Sequence, residues 1–157
     1  KATGSKALSI GGSVNGNTSG QLLSGDVWAN SGLVLNSNLN YTFSGVLKNG
    51  SLIKQQTNTV KLTGANTSKG NITVSEGELY VGDAGTSGSI EAAQTSVSLG
   101  ASLVFSRSDV ASYEGNISGA GSLTELGAGS LTLTGVASYT GLTTISSSGI
   151  TFTNNNK

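Results

Sequence analysis

The chain has 157 residues, only 10% of them charged, a formal net charge of zero, and no Cys, His, Met or Pro. Without Cys there is no disulfide framework and no thiolate metal site, and without His the usual general base and the commonest metal ligand are missing. Zero net charge gives no general electrostatic capture of nucleic acid or membrane, and no apolar run approaches the ~20 residues of a membrane span.

Taken in chain order, the apolar residues keep a beat of two. Leu8–Ile10, Leu33–Leu35, Val60–Leu62, Ile72–Val74 and Leu79–Val81 each read apolar, other, apolar. Val97–Leu99, Leu103–Phe105, Leu131–Leu133 and Ile150–Phe152 repeat the pattern. Gly, Ser or Asn ends each run after a few residues. Period two with turn residues between is a strand signature, and no segment carries a helical period. The missing Pro suits a sheet in which nearly every backbone N–H is used. With no Met even at position 1, the chain reads as one domain or an excised piece of one.

Sliding the chain along itself until Gly50 meets Gly121 lays Gly50–Leu52 on Gly121–Leu123 and Thr59–Gly64 on Ser130–Gly135. The same slide pairs Gly70 with Gly141, Val74 with Ile145, Leu79 with Ile150 and Val81 with Phe152. Slipping the slide by one position adds Val27 on Val97 and Leu33–Leu35 on Leu103–Phe105. The clearest repeat covers 103–152, with an eroded copy at 27–81. Several short strands per unit predict an all-β solenoid, with about three turns of ~23 residues in each unit and about seven short coils in the chain. At ~4.8 Å per stacked strand this is a rod on the order of 30 Å long. Leu79, Val81, Leu103, Phe105, Leu131, Leu133, Ile150 and Phe152 are expected to point inward in columns, while Gly, Ser and Thr occupy corners and outer positions.

The stretch "GAGSLTLTGVASYTGLTTISSSGI" from Gly127 resembles the passenger-associated transport repeat of bacterial autotransporters. Gly127, Gly129, Leu131, Leu133, Gly135, Tyr139, Gly141, Thr143, Thr144 and Ile145 fall on its pattern. Ala137 stands where the repeat usually has Asn, and Ile150 where it has Leu. The segment Leu103–Gly129 resembles the one that usually precedes the repeat. The resemblance implies a right-handed parallel β-helix, exported through a C-terminal membrane barrel that is absent here. It further implies an extracellular place on a Gram-negative cell surface, with adhesion, self-association or virulence as the kind of work done.

Parallel β-helices also host polysaccharide lyases and glycosidases, which makes each acid a candidate catalytic carboxylate: Asp26, Glu76, Glu78, Asp83, Glu91, Asp109, Glu114 and Glu125. Glu76 and Glu78 share one strand face and could bind Ca²⁺ or do acid–base work. They read as a solvated outer face, and Arg107 with Asp109 as a surface ion pair or turn. A Ser nucleophile lacks a His base, no motif marks a Ser–Lys dyad, and neither a phosphate loop nor a Ca²⁺ nonapeptide is present. No catalytic, cofactor or metal residue is assigned.

Lys48, Lys54, Lys61 and Lys69 recur at short, near-regular intervals, as isolated solubilising charges or as a weak basic stripe for anionic glycans. The uncharged stretch Leu126–Asn156 either hydrogen-bonds an identical flank on another molecule or is an outer face under no demand. Trp28, Tyr41, Tyr80, Tyr113 and Tyr139 are too scattered for a sugar platform, and the sequons at Asn17, Asn40, Asn49, Asn66, Asn71 and Asn116 carry little weight. Thr132–Thr134 is read as a Thr pair that does not recur from turn to turn, unlike an ice-binding face.

The expected function is a non-enzymatic passenger segment, a stalk or adhesin. Its expected partners are a second copy of itself or surface glycans or proteins, with no nucleic acid and no membrane span. The alternatives are a carbohydrate-active β-helix enzyme and a filament subunit with a β-sandwich joined by strand exchange. Neither end carries an evident cap, so end-to-end association or fraying of the last coil is expected.

Overall fold

The computed structural model describes residues 8–10, 24–146 and 148–154. Among them every secondary-structure element is a strand, and every strand pairing is parallel. These short strands wind round three faces.

The first face is a six-stranded sheet: Leu8–Ile10, Leu33–Leu35, Leu52–Lys54, Ile72–Val74, Gln94–Val97 and Asn116–Ser118. The second is also six-stranded: Tyr41–Phe43, Thr59–Leu62, Glu78–Gly85, Ser102–Arg107, Ser122–Glu125 and Thr143–Ile145. The third face is broken into three small sheets. Val27–Trp28 pairs with Leu47–Asn49, Ala65–Asn66 with Ser89–Ile90, and Ala111–Tyr113 with Leu131–Leu133 and then Ile150–Phe152. Register partners fix the length of each turn: Leu33 stacks on Leu52, Leu52 on Ile72, and Leu79 on Leu103. The solenoid thus has about six described turns, against about seven expected.

Each turn is too short to bury its own apolar residues, so burial comes from stacking. Leu79, Leu103 and Leu123 stack inward on the second face, all at 0% exposure. Leu33, Leu52 and Ile72 do the same on the first, and Leu131 and Leu133 sit inside the third. Of the eight expected core residues, six are buried, and Ile150 and Phe152 pack partly buried against the core on the last described turn. Ile145 continues the inward column Val81–Phe105–Glu125, yet it is 51% exposed because no described strand stacks beyond it.

The slide that lays Gly50 on Gly121 turns out to cross faces. It carries Val60–Leu62 on the second face onto Leu131–Leu133 on the third, and Ile72–Val74 on the first onto Thr143–Ile145 on the second. From Leu52 the first face is met again at Ile72, Thr95 and Ile117, and Leu123 then lies one face further on. The offset is therefore three turns plus one face, where three whole turns were expected. The expected turn was accordingly too long. The step from Leu33 to Leu52 is typical, and longer steps such as Leu79 to Leu103 mark turns that carry excursions.

The largest excursion lies within Glu78–Gly85 and the residues after it. Register shifts between Val81 and Gly85, Gly85 pairs with Arg107, and Ala84 takes a positive φ of 57°. The Ala84 amide donates to Ser106 Oγ at 3.2 Å, and Arg107 Nη1 donates to the Gly88 carbonyl. The loop is thus pinned along Ser102–Arg107, where Val104 and Ser106 are buried.

Candidate functional site

Among the described residues the charged side chains fall into two groups: Lys54 and Glu125 inside the solenoid and the others on its outside. Lys54, read from sequence as a solubilising charge or part of a basic stripe, and Glu125, one of the candidate carboxylates, both point inward. Each follows an apolar residue at strand spacing, where the beat of two aims the side chain at the core. Lys54 is fully buried, and its Nζ donates to the carbonyls of Gln55 at 3.0 Å, Gln56 at 2.7 Å and Glu76 at 3.1 Å. Burial pushes its ammonium down to about 8, against the weaker opposing pull of Glu76 and Glu78. Glu125 is 2% exposed between Phe105 and Ile145, and its Oε2 has no hydrogen-bond partner.

An unpartnered buried carboxylate oxygen costs free energy that an apolar side chain would not. Glu125→Leu is therefore expected to raise stability by about 1–3 kcal/mol. The measurement is the urea midpoint by far-UV circular dichroism; a lowered midpoint would show that the carboxylate holds the turn together.

On the outside, each of three lysines meets an acid on a neighbouring turn. Lys48 Nζ lies 2.7 Å from Asp26, Lys61 2.5 Å from Asp83 and Lys69 2.6 Å from Glu91. The Lys48 hydrogen bond holds the Asp26 carboxyl below its usual range. With Lys54 buried and the other three paired, the lysine row is no basic stripe. Arg107 donates from Nε to Asp109 at 2.8 Å, the surface ion pair expected from sequence, and hydrogen-bonded Arg107 lowers the Asp109 pKa. Glu78 accepts from Thr59 Oγ1 at 2.9 Å.

The aromatic residues divide in the same way. Tyr41, Tyr113 and Tyr139 are core residues. The Tyr113 hydroxyl donates to the Ala92 carbonyl at 3.0 Å and lies 2.8 Å from Thr95 Oγ1, and Tyr139 meets Thr143 Oγ1 at 2.7 Å. Trp28 is half exposed under Lys48 on the third face, and Tyr80 lies under Lys61 on the second, at 5.3 and 5.7 Å from the ring centres. These two do not form one platform. The Thr pair does recur once: Thr151 stacks on Thr132, and the Thr153 amide donates to the Leu133 carbonyl, but Ser112 occupies the turn on the other side.

Among the described residues, open grooves on the outer surface gather charged side chains at two places. One, of about 700 Å³, lies where the third-face ladder is interrupted between Ser89–Ile90 and Ala111–Tyr113, and it gathers Glu91 and Glu114 beside Lys69. The other, of about 600 Å³, lies on the second face around Lys61, Tyr80 and Asp83. Glu76 and Glu78, the pair singled out from sequence, line neither. No group of three His, Cys, Asp or Glu among the described residues could hold a metal ion.

The first face differs from the other two. Its central outward column runs Val34, Ile53, Thr73, Ser96 and Ser118 in register. Asn71, Gln94 and Asn116 precede that column by two positions and are exposed. Among the described residues no outward position of its strands carries a charge. Sequence reasoning placed the charge-free surface in Leu126–Asn156, but the described part of that stretch passes across more than one face.

These features define a parallel β-solenoid with a neutral broad face. The family model described as passenger-associated-transport-repeat matches residues 52–81 and 123–150. The chain therefore carries the autotransporter passenger repeat in two copies, and fold and repeat together fit an autotransporter passenger. No curated protein and no solved structure matches the chain.

The solenoid gives the repeat's glycines a physical reason. A Cβ built on Gly127, Gly129, Gly135 or Gly141 would lie 1.7 to 2.2 Å from a carbonyl oxygen of the previous turn. The signature therefore encodes tight corners. In the first copy Asn58 stands at the place of Gly129, with Nδ2 donating to the Leu39 carbonyl at 2.6 Å and Oδ1 unpartnered. Lys54 and Glu125 also occupy one equivalent position of the two copies.

Proposed function

We propose that the chain is a non-enzymatic segment of a cell-surface passenger, a stalk or adhesive rod working in adhesion or self-aggregation. The observation that supports this most is a first face without outward charge among the described residues, on a rod where Lys48, Lys61 and Lys69 are each matched to an acid of a neighbouring turn. Its partners are a second copy of the chain or surface glycans or proteins, and its place is outside the bacterial cell. Beads coated with the purified chain should clump or attach to cells, whereas uncoated beads do neither. Coated beads that remain dispersed and unattached would overturn the reading.

The groove holding Glu91 and Glu114 favours a second reading, a carbohydrate-active enzyme, because two carboxylates flanking a groove are what glycosidic cleavage needs. Its test is polysaccharide degradation by the purified chain. The expected result is no activity for Glu91→Gln/Glu114→Gln or Glu76→Gln/Glu78→Gln to abolish. Degradation that either double change stops would establish the enzyme. The filament alternative required a β-sandwich, which the solenoid replaces.

A further inference from the structure

We infer that the groove around Tyr80 on the second face is a binding subsite for an uncharged sugar, a hexopyranose unit of a neutral glycan. The inference rests on the adhesive reading above and names one ligand class and its place. The groove measures about 600 Å³, within the range of small-molecule sites. Its floor is the outward column Thr42, Lys61 and Tyr80, in register on successive strands. Its wall is the excursion after Val81, which brings Asp83 and Ala84 to the groove. The Ala84 amide bonded to Ser106 Oγ and Arg107 bonded to the Gly88 carbonyl hold that wall in place. A ligand therefore has little left to order.

A pyranose carries hydroxyls round its rim and an apolar C–H face, and the groove has a counterpart to each. Tyr80 and Leu126 line it, Tyr80 partly exposed and Leu126 46% exposed, and they supply the apolar contact. Lys61 and Asp83, 2.5 Å apart, fix an ammonium donor and a carboxylate acceptor side by side. Two neighbouring hydroxyls, each able to donate and accept, satisfy such a pair together. Asn40 adds its amide: Oδ1 accepts from the Thr59 amide, which leaves the Nδ2 donor for a ligand. One aromatic side chain suffices for a single subsite. The groove at Glu91 and Glu114 has no aromatic residue in its lining, and Trp28 lies on the third face outside both.

Charge and backbone decide against other occupants. Lys61 is matched by Asp83, so the lining offers no net charge to a sulfated or uronic glycan or to nucleic acid. An extended peptide would be held by free backbone groups at a sheet edge. Glu78–Val81 is laddered on both sides, to Thr59–Leu62 and to Ser102–Phe105, so the floor presents side chains alone. One ring and a few hydrogen bonds make a weak site, with a Kd on the order of 1 mM. Firm attachment then comes from many rods on one surface.

The test is saturation-transfer NMR of the whole chain with cellotriose, maltotriose, mannotriose and galactotriose, and with a hyaluronan oligosaccharide as the charged comparison. Circular dichroism confirms that each variant folds. At least one neutral trisaccharide should bind, and hyaluronan should not. Tyr80→Ala and Asp83→Ala should each weaken that binding at least about tenfold. Asp83 is exposed on the excursion, so its variant tests the site even where Tyr80→Ala fails to fold. Trp28→Ala on the third face and Glu91→Gln/Glu114→Gln in the other groove should bind as wild type. No binding by any of the neutral trisaccharides up to about 10 mM overturns the inference, as does binding of hyaluronan alone or undiminished binding by Asp83→Ala. Loss of binding in Trp28→Ala also overturns it, by moving the sugar to the third face. Beads separate the two levels: if no trisaccharide binds but coated beads still attach to cells, the subsite fails and the adhesive reading stands. If a trisaccharide binds and coated beads neither clump nor attach, the adhesive reading alone fails.

Discussion

Gly135→Ala should unfold the rod around its turn, lowering stability by about 3–5 kcal/mol. The added Cβ would lie 2.2 Å from the Gly115 carbonyl oxygen and 2.5 Å from its carbon. Neither atom can turn aside as a flexible side chain could, so the stack of turns must open. Gly64 makes the same demand in the first repeat copy, with the Gly45 carbonyl oxygen at 2.0 Å. Gly85 is the control, because its added Cβ meets nothing within 4 Å and its φ lies outside the left-handed region. Urea midpoints decide between them. Equal shifts for Gly135→Ala and Gly85→Ala would mean that the corner stack does not require glycine.

Lys54 carries the second large effect. Lys54→Ala removes three donated hydrogen bonds and leaves a cavity, an expected loss of about 3–5 kcal/mol at neutral pH. Its depressed pKa adds a pH signature. The group sits at about 8 in the fold against 10.5 for an ordinary lysine, so between those values the unfolded chain binds more protons than the folded one. Stability is then lowest at and below about pH 8 and rises toward about pH 10.5, by up to about 3 kcal/mol. Tyr41, which burial pushes up to about 12, acts with the opposite sign above its ordinary value of 10.0. The clean window is therefore about pH 8 to 10. Urea unfolding there should show a rise in the wild type that is absent in Lys54→Met. A flat wild-type profile would mean that the folded chain does not favour the neutral amine.

The strands were legible because burial on a solenoid needs only two inward residues per strand, and pairs such as Leu131 and Leu133 or Leu79 and Val81 write that need directly. Lys54 and Glu125 were not legible in the same way. A long charged side chain at an inward beat is indistinguishable in sequence from one on a surface, and only the corner carbonyls around Lys54 reveal its partners. One signal existed: both follow an apolar residue at strand spacing, Leu52 and Leu123. The neutral face was hidden for another reason. Its members lie a full turn apart along the chain, so a charge-free column such as Ile53, Thr73 and Ser96 forms no charge-free run. Ile145 keeps the beat and is still exposed, because burial belongs to the turn that would stack on it rather than to its own strand.

The three-turn-plus-one-face offset makes the repeat behave as a screw. A copy of the motif advances along the rod and rotates onto the next side, so successive copies trace a helical path and never a straight stripe. Whatever the motif presents outward is therefore distributed around the circumference, and any property confined to one side must be written between the copies. Each strand and corner of the motif serves one side in the first copy and the next side in the second, so passing from one copy to the other re-phases the surface the motif presents. Lengthening such a rod and re-aiming its surface are, for this motif, a single operation.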